Sequence, residues 1–186
     1  AQTRGCSRSD GLALAAVVPA QAGKAQQGAA KAEYDKLVAE WKAEADANRA
    51  AMKKLTDTDE YKTAVKDKNS EKLAELRKTV KQPDRKGFGE RALKLADQFG
   101  DDGLQFLTFA AGNFADKDAA KTILERIEAK YLSHPGLTEL LERPTGVVAA
   151  VGQEKGNQFL AKVASESKNE QCQAWAYYWQ GSLLSR

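Results

Sequence analysis

The sixteen residues at the end of the sequence, 171–186, place their large apolar side chains at helical spacing. Steps of three and four residues put these side chains on one face of a helix. The stripe comprises Cys172, Trp175, Ala176, Trp179 and Leu183, with Tyr178 and Leu184 at its edges. A helix so apolar on one side is not stable alone in water. We therefore expect it to pack on surface that the preceding segments provide.

The composition predicts an all-α fold. Ala, Lys, Glu, Leu and Gln dominate the 186 residues, whereas Val, Ile and Thr are sparse and rarely alternate. Helix starts near Phe88, Asp118 and Gln153 recur at intervals of about 30 to 35 residues, as in stacked helical hairpins. We expect a long N-terminal amphipathic helix followed by stacked antiparallel helical hairpins, either tetratricopeptide-like or an irregular α-solenoid. The Trp/Gly/Tyr signature of a tetratricopeptide repeat is missing.

The first 22 residues have the pattern of a secretory signal peptide. Arg4 and Arg8 precede the apolar run Leu12–Val18, and an Ala-x-Ala ending predicts cleavage after Ala22. An Ala-rich tail is the alternative. The pattern indicates export to the periplasm or cell envelope, and no run reaches the roughly 20 apolar residues of an integral membrane span.

Residues 23–86 are predicted to form a long heptad-like helix and a charged connector, and residues 87–186 the helical-hairpin domain. The heptad positions are Tyr34, Val38, Trp41, Ala45, Asn48, Met52 and Leu55. Asn48 at such a seam could fix the register. Packing of this helix on downstream segments of its own chain is favoured over self-association through the seam, because three heptads are few.

The charge pattern argues against nucleic acid as a partner. The 29 basic and 26 acidic residues are interleaved, as on solvated helix faces, rather than gathered on one side. The densest basic stretch contains Lys78, Lys81, Arg85 and Lys86, and Glu90 follows it.

No group of residues has the pattern of a catalytic, cofactor-binding or metal site. The segment Gly87–Ala92 reads G-x-G-x-x-A, but the polar residues before it cannot form the buried strand that a dinucleotide site needs. His134, before a proline, is expected to contact the last carbonyls of a helix. With the signal peptide and its Cys6 removed, Cys172 is a single thiol, predicted to be a small buried hydrophobe.

Acidic pairs and serines have structural explanations as well. The pairs Asp57/Asp59, Asp101/Asp102 and Asp116/Asp118 lie where helices are predicted to begin, so capping and the helix dipole explain them. Ser165 and Ser167 have no histidine nearby to activate them.

Four stretches together resemble the helical N-terminal region of exported TlpA-like thioredoxin proteins. They read KAEYDKLVAEWKAEADANRAAMKKL, ALKLADQFGDD, LERIEAKYLSHPGLTELLE and GNQFLAKVASESKNEQCQAWAYYWQGSLLS. Phe159, Leu160, Val163 and Ser167 match the family's F-L-x-x-V-x-x-x-S helix, whereas Ala174, Tyr178 and Trp179 only approximate the next one, A-x-x-x-L-A.

The resemblance implies a non-catalytic accessory domain of a thiol-disulfide oxidoreductase. In that family the helical region precedes the redox domain, which would lie beyond Arg186. The Cys-x-x-Cys and βαβ patterns of the redox domain are missing here, so disulfide chemistry is assigned to no residue of this chain. Two alternatives remain open: a free-standing exported scaffold that binds proteins along its heptad helix or concave face, and an enzyme with a site in the helical groove.

Overall fold

The structure is a computed structural model, which describes residues 19–114 and 116–184, with side chains over 26–114, 116–144 and 146–182. The described chain is helical and contains no strand, so the predicted all-α fold is confirmed. The helices are α1 Pro19–Thr56, α2 Asp59–Lys66, α3 Ser70–Lys78, α4 Arg85–Gln98, α5 Leu104–Asn113, α6 Lys117–Lys130, α7 Leu137–Glu142, α8 Thr145–Val151, α9 Gln153–Glu166 and α10 Glu170–Leu184; a 3₁₀ turn, Gly100–Gly103, precedes α5. Of the predicted signal peptide, only residues 19–22 are described, at the start of α1.

Short polar side chains begin several of these helices, as their sequence positions indicate. The side chains of Thr58, Asn69, Asp84 and Asp116 accept hydrogen bonds from backbone N–H groups at the starts of α2, α3, α4 and α6. Gly152, with φ +89°, separates α8 from α9 by a conformation that other residues rarely adopt. The stretch between α1 and α4 is predicted from the sequence to be a charged connector. In the structure it contains a helical hairpin of α2 and α3, which packs on α1.

The core lies between α4–α5, α6 and α9–α10. Its completely buried large side chains include Phe106, Leu107, Ile123, Ile127, Leu137, Leu141, Phe159, Leu160 and Val163. In the chain, the hairpin α4–α5 precedes α6, α7 and α8, and the hairpin α9–α10 follows them. Helix α7 bridges the two hairpins by packing on both α5 and α10. The N-terminal half of α1 joins the same core through Ala30 and Leu37, so the segments on the two sides of residue 86 share one apolar cluster.

Helix α1 packs on its own chain through aromatic side chains. The Trp41 ring meets Phe114 edge to face with centroids 4.7 Å apart and meets Phe88 at 5.5 Å. Arg91 of α4 forms an ion pair with Glu40 on α1. The Asn48 side chain donates a hydrogen bond of 2.8 Å to the carbonyl of Lys81. The predicted packing of α1 on downstream segments is thus observed, while self-association through the seam stays a prediction.

One buried glycine sets how closely α4 and α5 approach. A Cβ atom at Gly103 would overlap the carbonyl oxygen of Ala96 and lie 2.6 Å from the hydroxyl oxygen of Tyr131. That hydroxyl donates a hydrogen bond to the carbonyl of Gly100, which ties α6 to the 3₁₀ turn. Any side chain at position 103 therefore has to push the backbone of α4 away from α5.

We expect Gly103→Ala to lower the free energy of unfolding by about 1–3 kcal/mol, because a rigid backbone atom occupies the required space. The control is Gly28→Ala, in α1, where nothing lies within 4 Å of the new Cβ. That change should raise stability by roughly 0.5–1 kcal/mol, as replacing helical Gly by Ala does. Urea unfolding followed by circular dichroism measures both. Equal effects of the two substitutions would contradict the close approach at Gly103.

Candidate functional site

A groove runs along the outer side of α5. It consists of two adjoining cavities of about 670 Å³ and 220 Å³, both lined by Thr108 and Glu139. Helix α5 has 10 residues, so its length is about 15 Å. We call the two cavities together the α5 groove.

The groove takes its lining from three parts of the chain. Its floor is the exposed face of α5, where helical spacing brings together Gln105, Thr108, Phe109 and Gly112. Tyr34 of α1 lines it as well, and α7 and the residue after it contribute Glu139, Leu140, Glu142 and Arg143. Because the floor residues are small or uncharged and the walls carry charges, the groove has an amphipathic lining.

Tyr34 is held against the floor by aromatic packing. Its ring meets Phe106 at a centroid distance of 5.7 Å and Phe109 at 6.0 Å, both edge to face. Burial raises the pKa of the Tyr34 hydroxyl, and the negative charges of Glu139 and Asp35 raise it further. The phenol is therefore neutral at pH 7 and can donate a hydrogen bond. It makes no hydrogen bond to any described residue.

The charges around the α5 groove are mostly negative. The carboxylates of Asp101 and Asp102 line one end, and those of Glu139 and Glu142 line the α7 wall. Arg143 and His134 are the basic residues of the lining. None of these six side chains forms an ion pair with another described residue. In the described part of the chain, no three His, Cys, Asp or Glu side chains are grouped so that they could hold a metal ion.

A second exposed feature is the outer side of α10. Tyr177 and Tyr178 expose 62% and 60% of their surface there, and Ala174 is exposed beside them. After Glu170, no charged residue occurs in this helix. We call the exposed side formed by Ala174, Tyr177 and Tyr178 the α10 face.

The inner side of α10 confirms the predicted packing stripe over its described side chains. Cys172 and Ala176 are completely buried, and Trp175 and Trp179 are partly buried against the core. The indole N–H of Trp179 donates a hydrogen bond of 2.7 Å to the carbonyl of Leu141, which fixes α10 to α7. The side chains of residues 183 and 184 lie outside the described ones.

The remaining residues considered from the sequence have structural roles. Gly87 and Gly89 lie inside α4, where the Asp84 side chain already accepts a hydrogen bond from the N–H of Gly87. A carboxylate in that place repels phosphate, and residues 19–84, the described part of the chain before this helix, contain no strand. The Ser165 hydroxyl donates to carbonyls of its own helix, and the Ser167 hydroxyl accepts from the N–H of Asn169.

Two details of the sequence interpretation are wrong. His134 does not contact the last carbonyls of α6: its Nδ1 accepts a hydrogen bond of 3.0 Å from the N–H of Gly136 in the following turn. Asp101 and Asp102 do lie where a helix begins, in the first turn of the 3₁₀ helix that continues into α5, but neither side chain caps it.

No protein-family model, no curated protein and no solved structure matches this chain. Among the described residues, no helix is long and apolar enough to cross a membrane.

The Cys172 thiol should react slowly in the folded protein. Burial raises its pKa, so at pH 8 a smaller fraction is thiolate than in a free cysteine, and the side chain is closed to solvent. In a Cys6→Ser background we expect a disulfide reagent to modify the folded chain at least about tenfold more slowly than the chain in urea. Equal rates in the two states would show that Cys172 is accessible.

Proposed function

We propose that this chain is a non-catalytic helical docking module of an exported thiol-disulfide protein, and that its α10 face binds the thioredoxin-like redox domain. The module would hold that domain in place while contributing no residue to its chemistry. Cys172, the one described cysteine, is completely buried, so we assign it no role in disulfide exchange.

The uncharged α10 face is the observation that carries this proposal. Charged residues make up 30% of the chain, yet they are missing from α10 after Glu170. Exposed tyrosines without neighbouring charges are typical of protein–protein contacts, where Tyr and Trp are enriched and Lys and Glu depleted. In stacked helical proteins an outer helix facing water is normally polar, whereas an internal helix is not. The α10 face has the composition of an internal helix surface.

The chemistry of α10 favours a protein over other partners. Nucleic acids and anionic membranes are bound through Lys and Arg, and α10 contains neither. Tyr178 packs edge to face on Trp175 and Trp179 of its own helix, and the Trp179 indole is hydrogen-bonded to α7. A side chain held by such contacts loses less conformational entropy when a partner covers it.

The choice of a redox domain as the partner rests on the resemblance to TlpA-like proteins. Its most specific match, Phe159, Leu160 and Val163, forms the buried face of α9, against which α10 packs. The residues that match the family pattern therefore belong to the helix on which α10 packs, and this packing determines which side of α10 is exposed. Export, including cleavage after Ala22, is part of the same proposal.

A photo-crosslinking amino acid in place of Tyr178, in the natural protein expressed in its own cells, tests the proposal. We expect its cross-links to join a segment that contains a Cys-x-x-Cys motif, identified by mass spectrometry. The matched control is the same amino acid at Val65, an apolar residue of α2 that is 50% exposed. Equal cross-linking from the two positions, or products without that motif, would contradict docking of a redox domain on the α10 face.

A further inference from the structure

The α5 groove has the geometry of a site for an extended polypeptide. Its two cavities adjoin along a helix about 15 Å long, which matches about four or five residues of extended chain. Carboxylates line both cavities: Asp101, Asp102 and Glu139 line the smaller one, and Glu139 and Glu142 line the larger one.

The mostly negative charges that line the groove favour a positively charged ligand. Four carboxylates, one guanidinium and the His134 imidazole line it, in a chain whose formal net charge is +3 with histidine neutral. Some carboxylates on other helices are neutralised within the chain, as Asp97 is by Arg126 at 2.8 Å and Glu128 by Lys162 at 3.1 Å. Glu139 and Glu142 have no such partner among the described residues. They are free to pair with positive charges of a ligand.

The apolar and hydrogen-bonding groups of the groove suit lysine or arginine side chains. The rings of Tyr34 and Phe109 can contact the aliphatic stems of such residues, while their charged heads reach the carboxylates at the rim. Aromatic rings also attract cations directly. The hydroxyls of Tyr34 and Thr108 make no hydrogen bond to described residues and can donate to the carbonyl groups of a bound backbone.

We propose that the α5 groove binds a short lysine- or arginine-rich segment of a partner protein in extended conformation. This binding goes beyond the docking of a redox domain on the α10 face, because it uses other residues and another kind of partner surface. The positively charged side chains of the segment would lie near Asp101 and Glu139. Arg143 would repel a positive charge at the other end of the groove.

Fluorescence anisotropy with a labelled, end-capped penta-lysine peptide tests the groove directly. We expect the full chain to bind this peptide and not a penta-glutamate peptide of the same length. Replacing both wall carboxylates, by Glu139→Gln and Glu142→Gln, should weaken binding about three- to tenfold, as expected for the loss of two exposed charge contacts. Both residues are exposed, so the fold should be retained, which circular dichroism checks.

Two further variants separate specific binding from general attraction between charges. The control pair Glu71→Gln and Glu75→Gln makes the same change of net charge on α3 and should leave the affinity unchanged. Arg143→Gln removes a repulsive charge and should strengthen binding about twofold. Absence of penta-lysine binding, or equal weakening by the α3 pair, would overturn the proposal. The peptide-binding assay tests the α5 groove, and cross-linking from position 178 tests the α10 face. Failure of one proposal is therefore distinguishable from failure of the other.

Discussion

Edge-to-face packing of Trp41 against Phe114, with ring centroids 4.7 Å apart, holds the first helix on the rest of the molecule. Such a pair contributes about 0.5–1.5 kcal/mol beyond the burial of its area. Its larger consequence is geometric, because it fixes the position of α1 along the α4–α5 hairpin. Two turns earlier in α1, Tyr34 then lies on Phe109 and becomes a wall of the α5 groove. The position of Tyr34 in the groove therefore depends on the aromatic contacts of α1.

Helical periodicity in the sequence is sufficient to predict the fold class, the long first helix and the final helix. A boundary is predicted well where a capping side chain is present, as at Asp116, since its carboxylate accepts hydrogen bonds from N–H groups at the start of α6. The buried side of α1 was predicted less well. Leu37 is completely buried, although the heptad pattern assigned Val38 to the seam. A straight helix has 3.6 residues per turn and drifts away from a 3.5-residue repeat, so neighbouring positions change places along its length.

The α5 groove could not be predicted from the sequence. Its residues come from α1, α5 and α7, and no local pattern connects Tyr34 with Glu139, which are far apart in the chain. Glu139 and Glu142 also have the spacing of any solvated helix face. By contrast, the unusual composition of α10 is visible in the sequence, but its significance depends on which side is covered. The packing of Cys172, Ala176 and Trp179 against the core leaves Tyr177 and Tyr178 exposed.

The two surfaces have opposite chemical character, and the proposed binding of proteins rests on both. The α10 face is aromatic and uncharged, as in contacts between folded domains. The α5 groove is negatively charged and elongated, as in sites for flexible charged segments.

Reading the source gene past the codon for Arg186 tests the central claim, that a redox domain is linked to this chain, most directly. We expect a Cys-x-x-Cys motif in a βαβ context within about one hundred further codons, the usual size of a domain. A stop codon directly after Arg186 would contradict a linked redox domain.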